Sequence, residues 1–307
     1  MNNSTLLVSP SPHVRSRNST QTIMLDVIIA MCPALIASVL IFGWRALAVT
    51  ALCVAVCIVS EWLFEKLCKR ENTVCDLSAI VTGMLLAFNL PVGIPLWQAA
   101  FGSIVAIVAV KQLFGGIGKN FANPAITARI VLLLSFSGAM SDFTTRNDAI
   151  SGATPLTAMK AGETLPSLLD LFLGRHGGSL GETCVLAILI GGAYLLIRRV
   201  ITWHTPVVFV GTVFLFTWAL GENPVEHILT GGLMLGAFFM ATDYSTTPST
   251  KWGKVIFGLG CGLITVLIRV FGNYPEGVSF AILFMNILTP YISTWTRRKP
   301  FGGVRKS

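Results

Sequence analysis

A short polar turn carries the residues of this chain that are best suited to covalent chemistry. It reads Asp148-Ala149-Ile150-Ser151-Gly152-Ala153-Thr154-Pro155 and lies inside the long loop 141–181. Long loops that lack regular structure tend to be functional. A turn of small residues with a threonine at its tip suits the covalent attachment of a phosphate-bearing group. The turn therefore indicates Thr154 as a site of modification.

A second part of the same loop has the spacing of a helix. Leu165, Leu168, Leu169 and Phe172 follow the pattern i, i+3, i+4, i+7, which predicts one apolar helical face. Such a helix could cover a group attached at Thr154. Packing of the loop without any ligand explains the spacing equally well.

A glycine-rich segment supplies amide groups at the end of an apolar run. It reads Phe114-Gly115-Gly116-Ile117-Gly118-Lys119-Asn120-Phe121-Ala122-Asn123-Pro124. No Lys-Ser/Thr pair follows the glycines, so the segment is not a phosphate-binding loop. Asn123 and Pro124 suit the cap and first turn of a helix. Two interpretations stay open: a capped tight turn, or a polar ledge where Asn120 and Asn123 contact an aromatic heterocycle.

Ionisable residues inside apolar sequence are functional candidates, because charge is costly in hydrocarbon. Asp243 is the strongest, since it lies in the polar break Thr242-Asp243-Tyr244, where it would contact an ion or cofactor or serve as a simple cap. Glu61 and Glu65 share a helix face near Lys66 and Lys69, which predicts a solvated helix end.

Cysteine and histidine spacings argue against metal chemistry. The seven cysteines include no CxxC, and Cys53 and Cys57, one turn apart, are predicted to be packing residues. An iron–sulfur cluster is therefore not expected. The four histidines lie in separate segments, so neither zinc ligation nor a catalytic triad is predicted.

The elements that position these residues are membrane helices. The chain is 53% hydrophobic and 12% charged, whereas a soluble domain carries about 25% charged residues. The first apolar run, Ile23–Phe42, is too long for a signal-peptide core and predicts a retained helix. The expected fold is an all-α integral membrane protein with about ten spans, near 24–42, 46–64, 77–91, 97–114, 123–140, 182–198, 206–221, 227–242, 253–271 and 278–295.

The lysines and arginines predict the orientation. If the N-terminus is cytoplasmic, seventeen of them, Arg129 included, fall on the cytoplasmic side and five on the outer side. This asymmetry favours cytoplasmic termini and an outer loop. It also accounts for the net charge of +8 without nucleic-acid binding. The predicted segments are a tail 1–22, a membrane segment 23–140, the outer loop 141–181, a second membrane segment 182–295 and a basic tail 296–307.

The two membrane segments resemble each other. Gly83-Met84-Leu85-Leu86-Ala87-Phe88 is echoed by Gly236-Ala237-Phe238-Phe239-Met240-Ala241, and a polar break follows each. A Phe-Gly pair then follows in both, at Phe114-Gly115 and Phe271-Gly272. Five spans per segment is an odd number, so the pattern predicts two inverted five-helix repeats. Chance similarity between apolar runs is the alternative.

Several of these motifs resemble one known family. Asp148-x-x-Ser151-Gly152-Ala153-Thr154 resembles the flavinylation motif of membrane electron-transfer complexes. Four further segments are similar to the D-subunit family of Rnf complexes, which is homologous to the B subunit of the sodium-translocating NADH:quinone reductase: Ser11-Pro12-His13, Phe114 to Pro124, Gly236 to Asp243, and Phe271-Gly272-x-Tyr274-Pro275-x-Gly277. One departure is Tyr244, where the family usually has proline.

The resemblance implies a role in electron transfer. Rnf complexes couple electron flow between reduced ferredoxin and NAD⁺ to Na⁺ or H⁺ transport. A member of this family would be an electron relay of the translocase in the bacterial plasma (inner) membrane. The implied partners are the A, B, C, E and G subunits, above all the G subunit with its own covalent FMN.

The resemblance also implies the cofactors and their residues. FMN would be esterified through its phosphate to Thr154 by a flavin transferase, within the turn formed by Asp148, Ser151, Gly152, Ala153 and Pro155. Riboflavin would contact Asn120 and Asn123, and Asp243 would be the candidate for ion coupling. Two alternatives remain: a secondary transporter with inverted repeats and no redox cofactor, and a structural subunit that anchors redox partners.

Overall fold

A computed structural model describes residues 19–145, 148–151, 154–161, 165–272 and 276–297. Both chain ends, Gly152, Ala153 and the Tyr274-Pro275 motif lie outside this part of the chain. The described residues form α1 Thr20–Phe42, α2 Trp44–Leu67, α3 Ser78–Phe88, α4 Leu96–Ile104, α5 Pro124–Ser135, α6 Ser137–Met140, α7 Pro155–Ala161, α8 Leu168–Leu173, α9 Val185–Ile197, α10 His204–Ala219, α11 Pro224–Leu229, α12 Leu233–Leu235, α13 Lys251–Phe271 and α14 Val278–Thr296.

Shorter elements interrupt or extend these helices. Val74–Asp76 forms a 3-10 turn, and the π-helical segments Val105–Gln112 and Gly236–Met240 continue α4 and α12. Strands β1 Thr144–Thr145 and β2 Asp148–Ser151 pair antiparallel in the long loop. The all-α prediction therefore describes the helical body, and the loop adds a small two-stranded sheet.

The helices are those of a membrane protein. Four of them, α1, α2, α13 and α14, are long and apolar enough to span a bilayer, and five further apolar helices of 10–17 residues accompany them. Large apolar side chains such as Leu40, Ile36 and Ile197 are exposed on the outside of the bundle. Exposed apolar surface of this extent suits a lipid environment.

Glycines permit the closest helix contacts. α3 packs against α2, where a Cβ added at Gly83 would lie 2.7 Å from the Cα of Val54. Gly191 of α9 faces the backbone of Ala30 in α1 in the same manner. Small residues let backbones approach closely and maximise van der Waals contact where no hydrophobic force drives association.

The candidate residues lie at two opposite ends of the bundle. We name these the loop end, where the long loop packs, and the terminal end, where α1 begins. At the loop end, the long loop contacts the end of α3 through hydrogen bonds from the Leu180 amide to Leu90 O (3.0 Å) and from the Gly181 amide to Phe88 O (2.9 Å). At the terminal end, α1 begins beside the 117–124 turn and the 242–245 break, which line one pocket together.

Candidate functional site

Thr154 caps the first turn of α7 at the loop end. Its hydroxyl oxygen accepts the Thr157 amide at 3.3 Å, and the Thr157 hydroxyl donates to the Thr154 carbonyl at 2.8 Å. Thr154 is 7% exposed. The Thr154 side chain is therefore largely covered, and its oxygen is engaged in the first turn of α7.

Helix α7 docks beside a buried guanidinium. Leu156 of α7 and Arg269 of α13 meet at Gly231, where an added Cβ would lie 3.6 Å from Leu156 Cδ2 and 3.0 Å from Arg269 Nη2. Arg269 donates to His227 O at 2.5 Å and Thr230 O at 3.0 Å. Its Nε is buried and makes no hydrogen bond with any described residue. An unsatisfied cationic donor thus lies close to the proposed attachment helix.

Arg129 joins four segments at the same end. Its Nη1 donates to Asn89 Oδ1 at 2.8 Å and Ser279 Oγ at 3.0 Å. It also forms ion pairs with Glu182, at 2.9 Å, and with Glu276. The charge count places Arg129 on the side opposite the long loop, whereas its guanidinium lies with residues of the loop end. Sequence reasoning missed this cluster entirely.

The predicted residues of the terminal end line one pocket. Asn120, Asn123 and Asp243 all line it, together with apolar side chains of α1, α3 and α9 and the aromatic ring of Phe239. Asn123 caps α5, since its Oδ1 accepts the amides of Ala125 (3.0 Å) and Ile126 (3.4 Å). Asn120 differs, because its buried Oδ1 finds no partner among the described residues.

Asp243 both shapes its turn and borders this pocket. Its carboxylate accepts the hydroxyls of Ser245 (3.0 Å) and Thr246 (3.2 Å). Burial raises the pKa of Asp243, and the hydrogen bonds from Ser245 and Thr246 oppose that rise. Asp243 thus closes a local turn and caps none of the described helices, and its place in the pocket wall leaves the functional interpretation open.

A buried ion pair stands behind the same pocket. Lys111 Nζ lies 2.6 and 2.9 Å from the two carboxylate oxygens of Glu61 and 2.6 Å from Ser78 Oγ. Gln112 donates to Glu61 at 2.8 Å and to Glu65 at 3.3 Å. The prediction of a solvated helix end at Glu61 and Glu65 is therefore wrong, because both carboxylates are buried. The π-helical segment that carries Lys111 and Gln112 is of a kind found frequently at functional sites.

The remaining candidates have structural surroundings. Cys53 and Cys57 are buried in α2, as predicted for packing residues. Across the described ranges, no three His, Cys, Asp or Glu side chains are placed to hold a metal ion. The side chains of Asp148 and Ser151, like Gly152 and Ala153, are not among those described.

Known proteins resemble this chain over almost its whole length. The model of the NQR2, RnfD, RnfE family matches residues 7–302. The D subunit of the Na(+)-translocating ferredoxin:NAD(+) oxidoreductase complex of Acetobacterium woodii is 48% identical, with 98% of this chain and 97% of that protein covered. The D subunit of the proton-translocating complex of Clostridium ljungdahlii is 41% identical, with 96% of each covered.

A third relative extends the comparison. The D subunit of the ion-translocating oxidoreductase complex of Halorhodospira halophila is 34% identical over 96% of this chain and 95% of that protein. The motifs at Thr154, Asn120 to Pro124 and Asp243 lie inside the region that the family model covers. This chain belongs to the NQR2, RnfD, RnfE family.

Proposed function

We propose that this protein is the membrane electron-relay subunit of an ion-translocating ferredoxin:NAD⁺ oxidoreductase complex of the Rnf type. It would act as one subunit of a translocase and not as a complete enzyme. The names and near full-length coverage of its relatives support this assignment. The A, B, C, E and G subunits of such a complex are the proposed partners, and a flavin transferase would mature the protein.

The first proposed cofactor is FMN, esterified through its phosphate to Thr154. When bound, FMN supplies one- and two-electron redox chemistry. The flavinylation-like turn supports this proposal, and so does the chemistry of its surroundings. Arg269 offers an unpaired buried Nε near α7, and guanidinium groups are strong partners of phosphate. The chain would present the hydroxyl, neutralise the phosphate charge and hold the loop in place.

The second proposed cofactor is riboflavin in the pocket of Asn120, Asn123 and Asp243. Apolar walls with few polar groups are typical of cofactor sites. The unpartnered Oδ1 of Asn120 can accept a hydrogen bond from a ring N–H of a flavin, and a buried acceptor without a partner is costly. This unpartnered oxygen of Asn120 is the observation that best supports riboflavin at this site.

The separation of the two candidate sites carries the functional proposal. Thr154 belongs to the loop end and Asn120 to the terminal end, so the helical bundle lies between them. A protein with one flavin at each end suits electron transfer across a membrane. We further propose cytoplasmic termini and an outer loop, on the lysine and arginine asymmetry.

The ten-helix arrangement in two inverted repeats also belongs to the proposal. The packing partners support it: α2 packs against α4 as α10 packs against α13, and α4 packs against α5 as α13 packs against α14. The contacts α1–α9 and α5–α14 join elements that correspond between the repeats. In this scheme α11, α12 and their π-helical extension together form the eighth span.

A secondary transporter is the second candidate function. Broken helices around a partly buried Asp243 and a buried Lys111–Glu61 pair favour it, because ionisable residues inside membranes mark ion paths. A transporter has no need for a flavin at Thr154. The presence or absence of bound flavin therefore separates the two functions.

In-gel flavin fluorescence tests the proposal most directly. The protein would be co-expressed with an active flavin transferase, denatured, and compared as wild type, Thr154→Ala and Thr157→Ala. A fluorescent band that is lost only in Thr154→Ala is expected, because Thr157→Ala removes a neighbouring hydroxyl on the same helix. A dark wild-type band, with a control substrate of the transferase labelled, would refute the flavoprotein proposal and favour the transporter.

Non-covalent flavin needs a second measurement. Acid extraction of the purified complex should release riboflavin from wild type and less from Asn120→Leu, which removes the unpartnered oxygen at similar volume. Unchanged extraction from the variant would exclude Asn120 as a contact. The covalent band at Thr154 should persist in this variant and shows that the protein is folded.

A further inference from the structure

A second, polar pocket opens at the terminal end and shares one wall with the proposed riboflavin pocket, formed by Val200, Ile201, Thr242 and Tyr244. It lies between the turn joining α9 to α10 and the segment that precedes α13. Two cationic side chains and several hydroxyls line it, and no carboxylate does among the described residues. The cationic and hydroxyl-bearing residues of its lining include Arg199, Lys254, Thr202, Thr205 and Ser249.

The two cations are not neutralised by the described part of the chain. Neither Arg199 nor Lys254 forms an ion pair there, whereas the adjacent Arg198 pairs with Asp26 at 3.1 Å. Lys254 Nζ donates to Thr202 Oγ1 at 3.0 Å, which orients it toward the pocket and leaves its other protons available. The pocket therefore has a net positive charge and spare donors.

Thr205 supplies a hydroxyl group in the wall of the pocket. It is 2% exposed, yet its hydroxyl makes no hydrogen bond with any described residue. Other buried threonines donate to the carbonyl four residues earlier, as Thr212 does to Val208 O at 2.7 Å and Thr265 does to Cys261 O at 2.7 Å. Thr205 cannot do so, because the fourth residue before it lies outside the helix. The Thr205 hydroxyl therefore stays available to a ligand in the pocket that it lines.

The backbone at this point has unsatisfied donors too. Helix α10 begins at His204, and no side chain caps its first turn. Its free donors are the amides of His204 and Thr205, since Pro206 has no N–H and the Val207 amide donates to Trp203 O, and free amides at the start of a helix of this length attract anions. Helix α13, in contrast, is capped by Thr250, whose oxygen accepts the Gly253 amide at 3.0 Å. The uncapped start of α10 thus adds to the donors that converge on the pocket.

Exposed tryptophans near the pocket indicate its depth in the membrane. Trp203 and Trp252 stand at the starts of α10 and α13, and Trp295 is near the end of α14. The hydroxyls of Thr250 and Thr296 lie 2.6 Å apart, and this contact joins the start of α13 to the end of α14. Tryptophan concentrates at the boundary between hydrocarbon and water, so the pocket lies at the level of lipid headgroups.

We propose that this pocket binds the phosphate group of an anionic phospholipid, held by Lys254, Arg199, Thr205 and the first amides of α10. Phosphate oxygens are acceptors only, which matches a site built from donors. Basic pockets between membrane helices on the cytoplasmic side are known to bind such headgroups. A soluble phosphate has the same binding chemistry, and the depth of the site favours the lipid.

Native mass spectrometry on the full-length, delipidated protein tests the proposal. Phosphatidylglycerol, phosphatidylcholine and inorganic phosphate would be titrated separately onto wild type and Lys254→Gln. Loss of one membrane-surface cation is expected to weaken phosphatidylglycerol binding at least about fivefold. Lys251→Gln is the matched control, since it removes an exposed lysine from the same helix outside the pocket, and binding should stay within about twofold of wild type.

Each outcome has a defined meaning. Preference for phosphatidylglycerol that depends on Lys254 supports the lipid, and phosphate binding that depends on Lys254 without lipid preference supports the site with a soluble ligand. Equal losses in Lys254→Gln and Lys251→Gln, or no loss in either, would overturn the site. Thr205→Val keeps the charge and the volume, and it should also weaken binding if the hydroxyl contacts the phosphate. In-gel fluorescence at Thr154 is expected to be unchanged in all three variants.

Discussion

Replacing Lys111 with methionine should destabilise the protein strongly. The ammonium group contacts both oxygens of Glu61, at 2.6 and 2.9 Å, and Lys111 is 1% exposed while Glu61 is fully buried. Removing one partner of a buried pair leaves the other charge without compensation and costs about 3–5 kcal/mol. Glu61 would keep its hydrogen bond from Gln112 at 2.8 Å. We therefore expect the lower end, about 3 kcal/mol.

A double-mutant cycle isolates the contribution of the pair. Glu61→Gln alone should cost a similar amount, because it leaves the buried Lys111 ammonium with only neutral hydrogen-bond partners. The double variant removes both charges, and replacing a whole buried pair is often close to neutral, so its loss should not exceed about 2 kcal/mol. The coupling energy between the two residues should then be at least about 4 kcal/mol.

Reversible unfolding in mixed micelles, followed by tryptophan fluorescence, measures these free energies. Lys66→Met is the control, because Lys66 is exposed on α2 and its main contact is with the Trp62 ring at 4.7 Å. The control should lose no more than about 1 kcal/mol. Single-variant losses that add up in the double variant, or a loss below about 1 kcal/mol for Lys111→Met, would refute a buried, mutually compensating pair.

Close packing, pH and ion coupling give three more predictions. Gly83→Ala should cost about 1–3 kcal/mol by clashing with the Val54 backbone, whereas Gly211→Ala, with open space around its added Cβ, should be neutral or stabilising in the same assay; equal effects would refute the close contact. Burial lowers the pKa of His176 from its ordinary value of 6.5. Below that value the unfolded state binds more protons than the folded state, so the free energy of unfolding should fall as the pH drops through 6.5. A His176→Gln variant with the same pH dependence would exclude this residue as the cause. Asp243→Asn should slow coupled ion transport in the reconstituted complex more than it lowers flavin content, and equal loss of both, or of neither, would remove Asp243 from the mechanism.

The sequence by itself determined the elements whose cause is local. The first and last predicted spans, 24–42 and 278–295, agree with α1 and α14 to within a few residues. The length of an apolar run is a property of the run alone, so it can be recognised without neighbours. Asn123 caps α5, and the spacing from Leu165 to Phe172 anticipates α8, Leu168–Leu173.

Some elements were predicted only in part, because local rules compete within them. The span 227–242 is broken into α11, α12 and a π-helical segment, and 123–140 ends as a continuous helix at Ser135. Two-stranded pairing at Thr144 and Asp148 in the loop was not anticipated, because a pair of strands this short leaves almost no periodic signal. The domain boundaries and the attachment residues remain predictions.

Only the tertiary structure decided which charged residues are buried together. Glu61 and Lys111 are 50 residues apart, and Arg129 is 147 residues from Glu276. A helix pattern shows that a face is polar or apolar but not which helix will cover it. The lysines next to Glu61 in sequence suggested water as its partner, whereas packing of α2 against the segment carrying Lys111 supplied an ammonium group. Long-range pairing decides whether a charge meets solvent, lipid or another charge, and that choice is made by the packing of the bundle.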